Sequence, residues 1–243
     1  MATTINTFTQ QVEILLGPDD SNTELNDVQI QTFVKAAVER FSRDQPDETT
    51  EDESGDAGKY YDIANLLGSW VEGFSAIIAI EYPAQAISAD AEPTYLENED
   101  FQDDYWQGGT RYLFLPNHAP AATETMRIKY TVPYTWASSP EQTTTPTQDF
   151  YAICNLAAGY ACQAIATKYS RTSDSTIRAD SASHSSRADW FARRAREYIG
   201  FYETHLGLDK DQRVQGAGEF VDTDTLPGWP SSRRYLFHGA DTR

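Results

Sequence analysis

The apolar residues of this chain change period twice, and that limits what it can fold into. Up to residue 41 they recur every three or four positions: Ile5, Phe8, Val12 and Leu15, then Ile30, Phe33, Val34, Ala37, Val38 and Phe41. Such spacing lines one face of a helix. Gly17-Pro18 ends the first helix, Asn26 or Asp27 can cap the second, and Gln45 before Pro46 is pushed out of helical geometry. The period then falls to two. Met126, Ile128, Tyr130 and Val132 alternate with Arg127, Lys129 and Thr131, which is a strand with one buried and one wet face. Ser75–Tyr82 and Arg111–Leu115 are short apolar runs halted by Pro83 and Pro116, and Tyr95-Leu96 and Tyr105-Trp106 suit short edge strands.

Helical spacing returns after the Thr- and Pro-rich stretch 138–146. Thr145-Pro146-Thr147-Gln148 reads as a capping box with proline in the first helical position. Phe150, Ile153, Ala157, Tyr160 and Ala164 mark one face, and Ala158, Gly159, Ala161 and Cys162 leave room for a close neighbour. The last helix carries Ala188, Phe191, Ala195, Tyr198, Tyr202 and Leu206, with Gly207 suited to its C-cap. The expected fold is therefore α+β: two N-terminal and two C-terminal helices with an inserted antiparallel β-module. Four parts follow: 1–58, helices and an acidic loop; 59–137, the β-module; 138–207, a helical hairpin; 208–243, an extended docking arm.

Charge separates these parts. The 243 residues carry 37 acids against 19 bases, a net charge of −18. From Asp44 to Thr110 seventeen acids face one base, Lys59, whereas 168–213 is nearly neutral with nine bases and seven acids. Asp47–Gly58 has no apolar anchor, so a solvated loop is expected there. A groove-reading nucleic-acid binder needs Lys and Arg to neutralise phosphates, and this balance argues against one. No apolar run approaches the roughly 18–20 residues of a membrane helix, and the opening Met1-Ala2-Thr3-Thr4 has no basic or apolar leader, so neither membrane nor secretory signal is expected.

No residue pattern points to catalysis, a cofactor or a metal. His118, His184, His205 and His238 are scattered and none has a second His or Cys at ligand spacing. Cys154 and Cys162 lie eight apart on one helix, about 12 Å between Cα atoms, too far for a disulfide, and read as buried packing thiols. Two features suggest contacts between molecules instead. Arg187, Arg193, Arg194 and Arg196 gather on the polar side of the last helix, either as a solvated face or as a stripe that meets an acidic neighbour; on the second reading Arg187, Arg193 and Arg194 are candidate subunit-interface residues. Trp229, Arg233, Arg234, Tyr235 and Phe237 lie on a Gly- and Pro-broken tail with no core of its own; its large apolar side chains either pack back on the same subunit or dock on a partner, which makes these five candidate partner-docking residues.

Several stretches, taken in order, resemble a known family. They are Phe33-Val-Lys-Ala-Ala-Val-Glu-Arg-Phe-Ser-Arg-Asp-Gln-Pro46; Gly73-Phe-Ser and Ile80-Glu-Tyr-Pro83, followed by Pro93-Thr-Tyr-Leu96; Ile128-Lys-Tyr-Thr-Val-Pro-Tyr-Thr-Trp136; Asn155-Leu-Ala-Ala-Gly-Tyr160; Lys168-Tyr-Ser-Arg-Thr-Ser-Asp174; and Ser186-Arg-Ala-Asp-Trp-Phe-Ala-Arg-Arg-Ala195. Across residues 28–206 the order resembles head-to-tail connector (adaptor) proteins of tailed bacteriophages, although many adaptors are small and mainly helical and lack so large a β-insertion. The resemblance implies a structural virion protein of the neck, assembled in the host cytoplasm as a homo-oligomeric ring, expected to be dodecameric. Its partners would be the portal protein and tail or other neck proteins, with DNA only as transiting cargo. The channel surface would then be acidic or neutral, supplied by the 44–58 loop or the 90–104 segment. The competing readings are a head-closure, tail-completion or other tail structural protein, a small acidic enzyme, and a DNA-mimic binding module.

Overall fold

The structure, a computed structural model, describes residues 3–17, 25–85, 92–137, 141–171 and 178–208, the side chains of 178–186 excepted. Among these residues the chain is mixed, with five helices and three small antiparallel sheets. The short strand β1 (Thr3–Thr4) leads into α1 (Ile5–Leu16), and α2 (Asp27–Asp44) follows. Asn26 caps α2 in a reciprocal capping box: its Oδ1 accepts from Gln29 N–H at 2.9 Å and its own N–H donates to Gln29 Oε1 at 3.0 Å. Both orphan donors at that end are thereby satisfied.

The next eight residues correct the sequence reading. Asp47–Ser54, expected to be a solvated loop, is the strand β2 and pairs residue for residue with β7 (Thr125–Val132). The β-module therefore begins at residue 47, not 59. No apolar side chain supports β2; charge does. Asp52 lies directly opposite Arg127, which donates to both its carboxylate oxygens at 2.7 and 2.9 Å, and Lys129 pairs with Glu48. On the other face Glu51 accepts from Tyr130 Oη at 2.7 Å and from Gly68 N–H at 2.8 Å. An acidic edge strand of this kind also resists further strand addition.

Between those partners run β3 (Tyr60–Asp62), the one-turn α3 (Ile63–Leu66), β4 (Ile77–Glu81), β5 (Gln102–Gln107) and β6 (Thr110–Phe114). They form two three-stranded sheets, β2-β7-β4 and β3-β6-β5. Ile80, Met126, Ile128 and Tyr130 of the first meet Tyr61 and Leu113 of the second, and Leu115 just past β6, in one core closed by Ile63 and Leu67. Tyr95 makes only an isolated bridge to Glu81, not the short strand expected at 95–96.

After β8 (Gln142–Thr143), which pairs with β1, the expected capping box at Thr145 does not form. Thr145 is buried, Pro146 takes the cap position in an extended conformation without a side-chain bond, and a 3-10 turn over Thr147–Asp149 opens α4 (Phe150–Arg171). The antiparallel α5 (Arg178–His205) packs closely on α4: a Cβ at Gly159 would lie 2.8 Å from Ile199. Tyr169 and Phe191 stack at 5.9 Å near one end, and His205 meets Asp149 at 2.8 Å near the other. Gly207 closes α5 with φ +68° in a Schellman motif, Leu208 N–H bonding to Glu203 O and Gly207 N–H to Thr204 O. The four long helices share a second core built on Phe8, Val34, Phe41, Ile153, Phe191 and Tyr202. The stretch 209–243, hence nearly all of the expected arm, lies outside the described residues.

Arg127 ties three strands together, since it also donates to Glu81 Oε2 at 3.1 Å, and Glu81 is buried. The Asp52 carboxyl is held below its ordinary value, chiefly by the hydrogen bond from Arg127. A depressed carboxylate stabilises the fold above its unfolded value, near pH 4, and loses that effect as pH falls through its folded value. Arg127→Met should therefore lower the urea midpoint at neutral pH, with the gap to the unchanged chain narrowing below about pH 4. Midpoints measured across pH test this; a gap that stays constant or widens in acid would contradict it.

Candidate functional site

The arginines singled out on α5 divide into two groups. Arg194 is used inside the subunit. Its Nη2 donates to Leu15 O at 2.6 Å, satisfying a carbonyl in the last turn of α1, and its Nε donates to Tyr198 Oη at 3.0 Å. The guanidinium also sits 5.0 Å from the Trp190 ring centre. Arg187 donates to Tyr169 Oη at 3.2 Å and packs over that ring. Arg193 is exposed and lines a shallow recess with Arg196 and Glu197. The tail candidates Trp229, Arg233, Arg234, Tyr235 and Phe237 lie outside the described residues.

Two aromatics that the sequence reading passed over complete this face. Trp190 is 46% exposed and Phe201 59% exposed. Eleven residues of α-helix rotate about 20° past three full turns and rise about 16 Å, so both rings point the same way. Arg193, Arg194 and Glu197 lie between them on that side. The buried stripe of Phe191, Ala195, Tyr198 and Tyr202 lies about a quarter turn round the helix from that side. A helical wheel alone contained this signal: two large aromatics fall off the core stripe, where water would otherwise meet them.

The junction of the two cores forms a second concave feature. Tyr134 leaves β7, donates its N–H to the buried Ser42 Oγ at 3.1 Å, and packs on Phe41 at 5.4 Å. Burial, with the charges of Asp47, Asp149 and Glu48, pushes the Tyr134 hydroxyl up to about 12. Beside it a groove of about 350 Å³ has Val71, Phe74, Pro133 and Trp136 on its apolar wall and Lys35 and Glu39 on its rim. Nearby, Tyr202 donates to Asp44 Oδ2 at 2.6 Å and Arg40 bridges Asp44 and Glu203 at 3.3 Å.

A third feature is the outward face of the β3-β6-β5 sheet. The pairings Tyr60↔Phe114 and Tyr105↔Tyr112 place four rings on the side opposite the buried Tyr61 and Leu113. Tyr60 stacks on Phe114 at 4.6 Å and lies 5.1 Å from Tyr105, and Tyr60 is still 47% exposed.

None of these features presents an activated nucleophile. Cys154 and Cys162 are fully buried free thiols, and burial pushes Cys162 up to about 11 and Cys154 higher still. That keeps both as protonated packing groups at neutral pH. Among the described residues no group of three or more His, Cys, Asp or Glu side chains is placed to hold a metal ion, and no helix is long and apolar enough to cross a membrane. The arrangement can bury surface and exchange charge with a protein partner. No protein-family model matches the chain, and no curated protein matches it.

Proposed function

We propose that the chain is a structural subunit of a tailed-phage neck: a homo-oligomeric ring, dodecameric by its resemblance, that joins the portal to the tail or to other neck proteins and lets DNA pass. In this reading the four long helices form a two-plus-two bundle, the β-module is its insertion, and 208–243 is an extended arm. The observation that carries the reading is the outward side of α5, where Trp190 and Phe201 flank Arg193 and Glu197 and stand exposed among the described residues. Exposed rings spaced along one side of a long helix, with both charge signs between them, fit a repeated subunit contact. Arg194 is already bound to Leu15 and positions Trp190, so the ion pairing across the contact falls to Arg193 and Arg196.

The charge distribution supports passage without grip. Acidic surface repels phosphate over a Debye length of about 8–10 Å, whereas a ring of lysines would hold DNA by releasing counterions. Because Arg127 and Lys129 partly neutralise β2, the acids available to a channel are those of 92–104, where Glu92, Glu97, Glu99 and Asp104 are exposed.

Particle size tests the proposal. The unchanged protein should form a ring with an open centre in negative-stain images. The double variant Trp190→Ser, Phe201→Ser should keep the far-ultraviolet spectrum and lose the ring, since both side chains lie outside the core. A chain that remains monomeric at assembly concentrations, or a double variant that still closes rings, would sink the reading. Attachment to a tail tube rather than to the portal would move the protein to a head-closure or tail-completion position.

A further inference from the structure

We propose that the outward face of the β3-β6-β5 sheet is the dock for the stretch Trp229–His238 of this chain. This deepens the reading of 208–243 as a docking arm, on which it rests, by giving the arm a receptor and a chemistry.

The face is unusual for its position. A two-sided sheet normally turns polar residues to water, yet here Tyr60, Tyr105, Tyr112 and Phe114 lie together on the side away from the core. The rings of Tyr60, Tyr105 and Phe114 pack on one another at 4.6–5.7 Å; Tyr60 is exposed and the other three side chains are half-buried. Stacked and tilted rings side by side on one sheet face offer other rings and flat cations a surface to pack against.

Charge selects the occupant. Residues 47–132 hold seventeen Asp and Glu against four Lys and Arg, a net charge of −13. That field repels nucleotides, which would otherwise stack on such a platform, and acidic peptides as well. It favours a cationic, aromatic ligand. Trp-Pro-Ser-Ser-Arg-Arg-Tyr-Leu-Phe-His, residues 229–238, has three aromatics, two arginines and no acid. The guanidinium groups of Arg233 and Arg234 can lie on Tyr faces and pair with module carboxylates, while Trp229, Tyr235 and Phe237 extend the ring stack.

Chain length permits the contact. Described structure ends at Leu208, just after His205 bonds Asp149 at the foot of α4. The twenty residues 209–228 can span roughly 65–70 Å when extended, and a compact 243-residue domain has a radius of gyration near 18 Å. The arm therefore reaches the sheet of its own subunit or of the next one in a ring.

Photo-crosslinking on the full chain tests the dock. With benzoylphenylalanine at position 235, ultraviolet light should join the arm to peptides containing Tyr60 or residues 102–114. Tyr60→Ser with Tyr105→Ser should cut that yield about tenfold or more, the loss expected for two aromatic anchors. Arg233→Glu with Arg234→Glu should do the same. A mixture of heavy- and light-isotope chains shows which copy supplies the arm, and either origin supports the dock. Crosslinks that fall mainly on α5 or the junction groove, or a yield unmoved by both double variants, overturn it. Particle size keeps the two readings apart: a monomer that crosslinks to the sheet retains the dock and loses the ring, and a ring that crosslinks elsewhere does the reverse.

Discussion

Gly55→Ala is expected to cost about 3 kcal/mol or more, well beyond an ordinary glycine replacement. A Cβ built at Gly55 would stand 2.1 Å from Pro120 O, 2.4 Å from Pro120 C and 2.5 Å from Ala121 O. All three are backbone atoms, so no flexible side chain can give way. The chain approaches this closely because two hydrogen bonds hold it: Gly55 N–H to Glu124 O at 3.0 Å and Ala57 N–H to Pro120 O at 2.7 Å. These bonds close the end of the β2–β7 ladder, where Ser54 faces Thr125. Alanine must push the 120–124 turn away or break that end, and either move opens the core near Met126. At Gly207, by contrast, the space around a new Cβ is open, and only the positive φ opposes a side chain. Urea unfolding of the two alanine variants separates the cases. If Gly55→Ala unfolds within about 1 kcal/mol of the unchanged chain, the close approach is not as described.

That glycine also shows where sequence reading stops. The four long helices and β7 were legible because burial wrote its own period into them: Phe8 and Val12, Val34 and Phe41, and Met126, Ile128 and Tyr130 are all buried. The strand β2 left no such trace. Asp-Glu-Thr-Thr-Glu-Asp-Glu-Ser has poor strand propensity and nothing apolar, and it is held by cations 75 or more residues away in sequence. Cross-strand charge pairs become visible only once the partner strand is in place. The proline start of α4 misled for a local reason. Thr145 matches a cap by type, but it is buried, and the 3-10 turn places Asp149 rather than Thr145 where a partner waits on α5. The outward aromatic face of the β3-β6-β5 sheet was hidden by adjacency. Tyr60 and Tyr61 are neighbours, and only their pairing with Phe114 and Leu113 sends one to water and the other to the core. On α5 the burial stripe from Phe191 to Tyr202 was plain, whereas Trp190 and Phe201 required asking which large side chains lie off it.

Phe8→Ala should be the most damaging truncation in the helical half, at about 4 kcal/mol. The ring is fully buried, 4.8 Å from Phe150 and 5.9 Å from Trp136. It thus joins α1 to the first turn of α4 and to the segment leaving the β-module. Little nearby can collapse into the vacated space. Ile5 N–H is tied to Glu141 O at 2.9 Å, Trp136 is paired with Thr143, and β1 and β8 fix both ends. Cavity cost grows where the surroundings cannot relax, which places this site toward the upper part of the usual range. Phe8→Leu keeps most of the volume and should cost under about 1.5 kcal/mol. The consequence for assembly follows from position. Trp136 lines the junction groove, so losing its support loosens the angle between module and helices while Trp190 and Phe201 on α5 stay in place. In the proposed ring, Phe8→Ala should therefore blur the β-modules in averaged images before the ring itself is lost, and its urea midpoint should fall while Phe8→Leu stays near the parent. Equal midpoints for the alanine and leucine variants would mean that the ring of Phe8 is not the joint between the two cores.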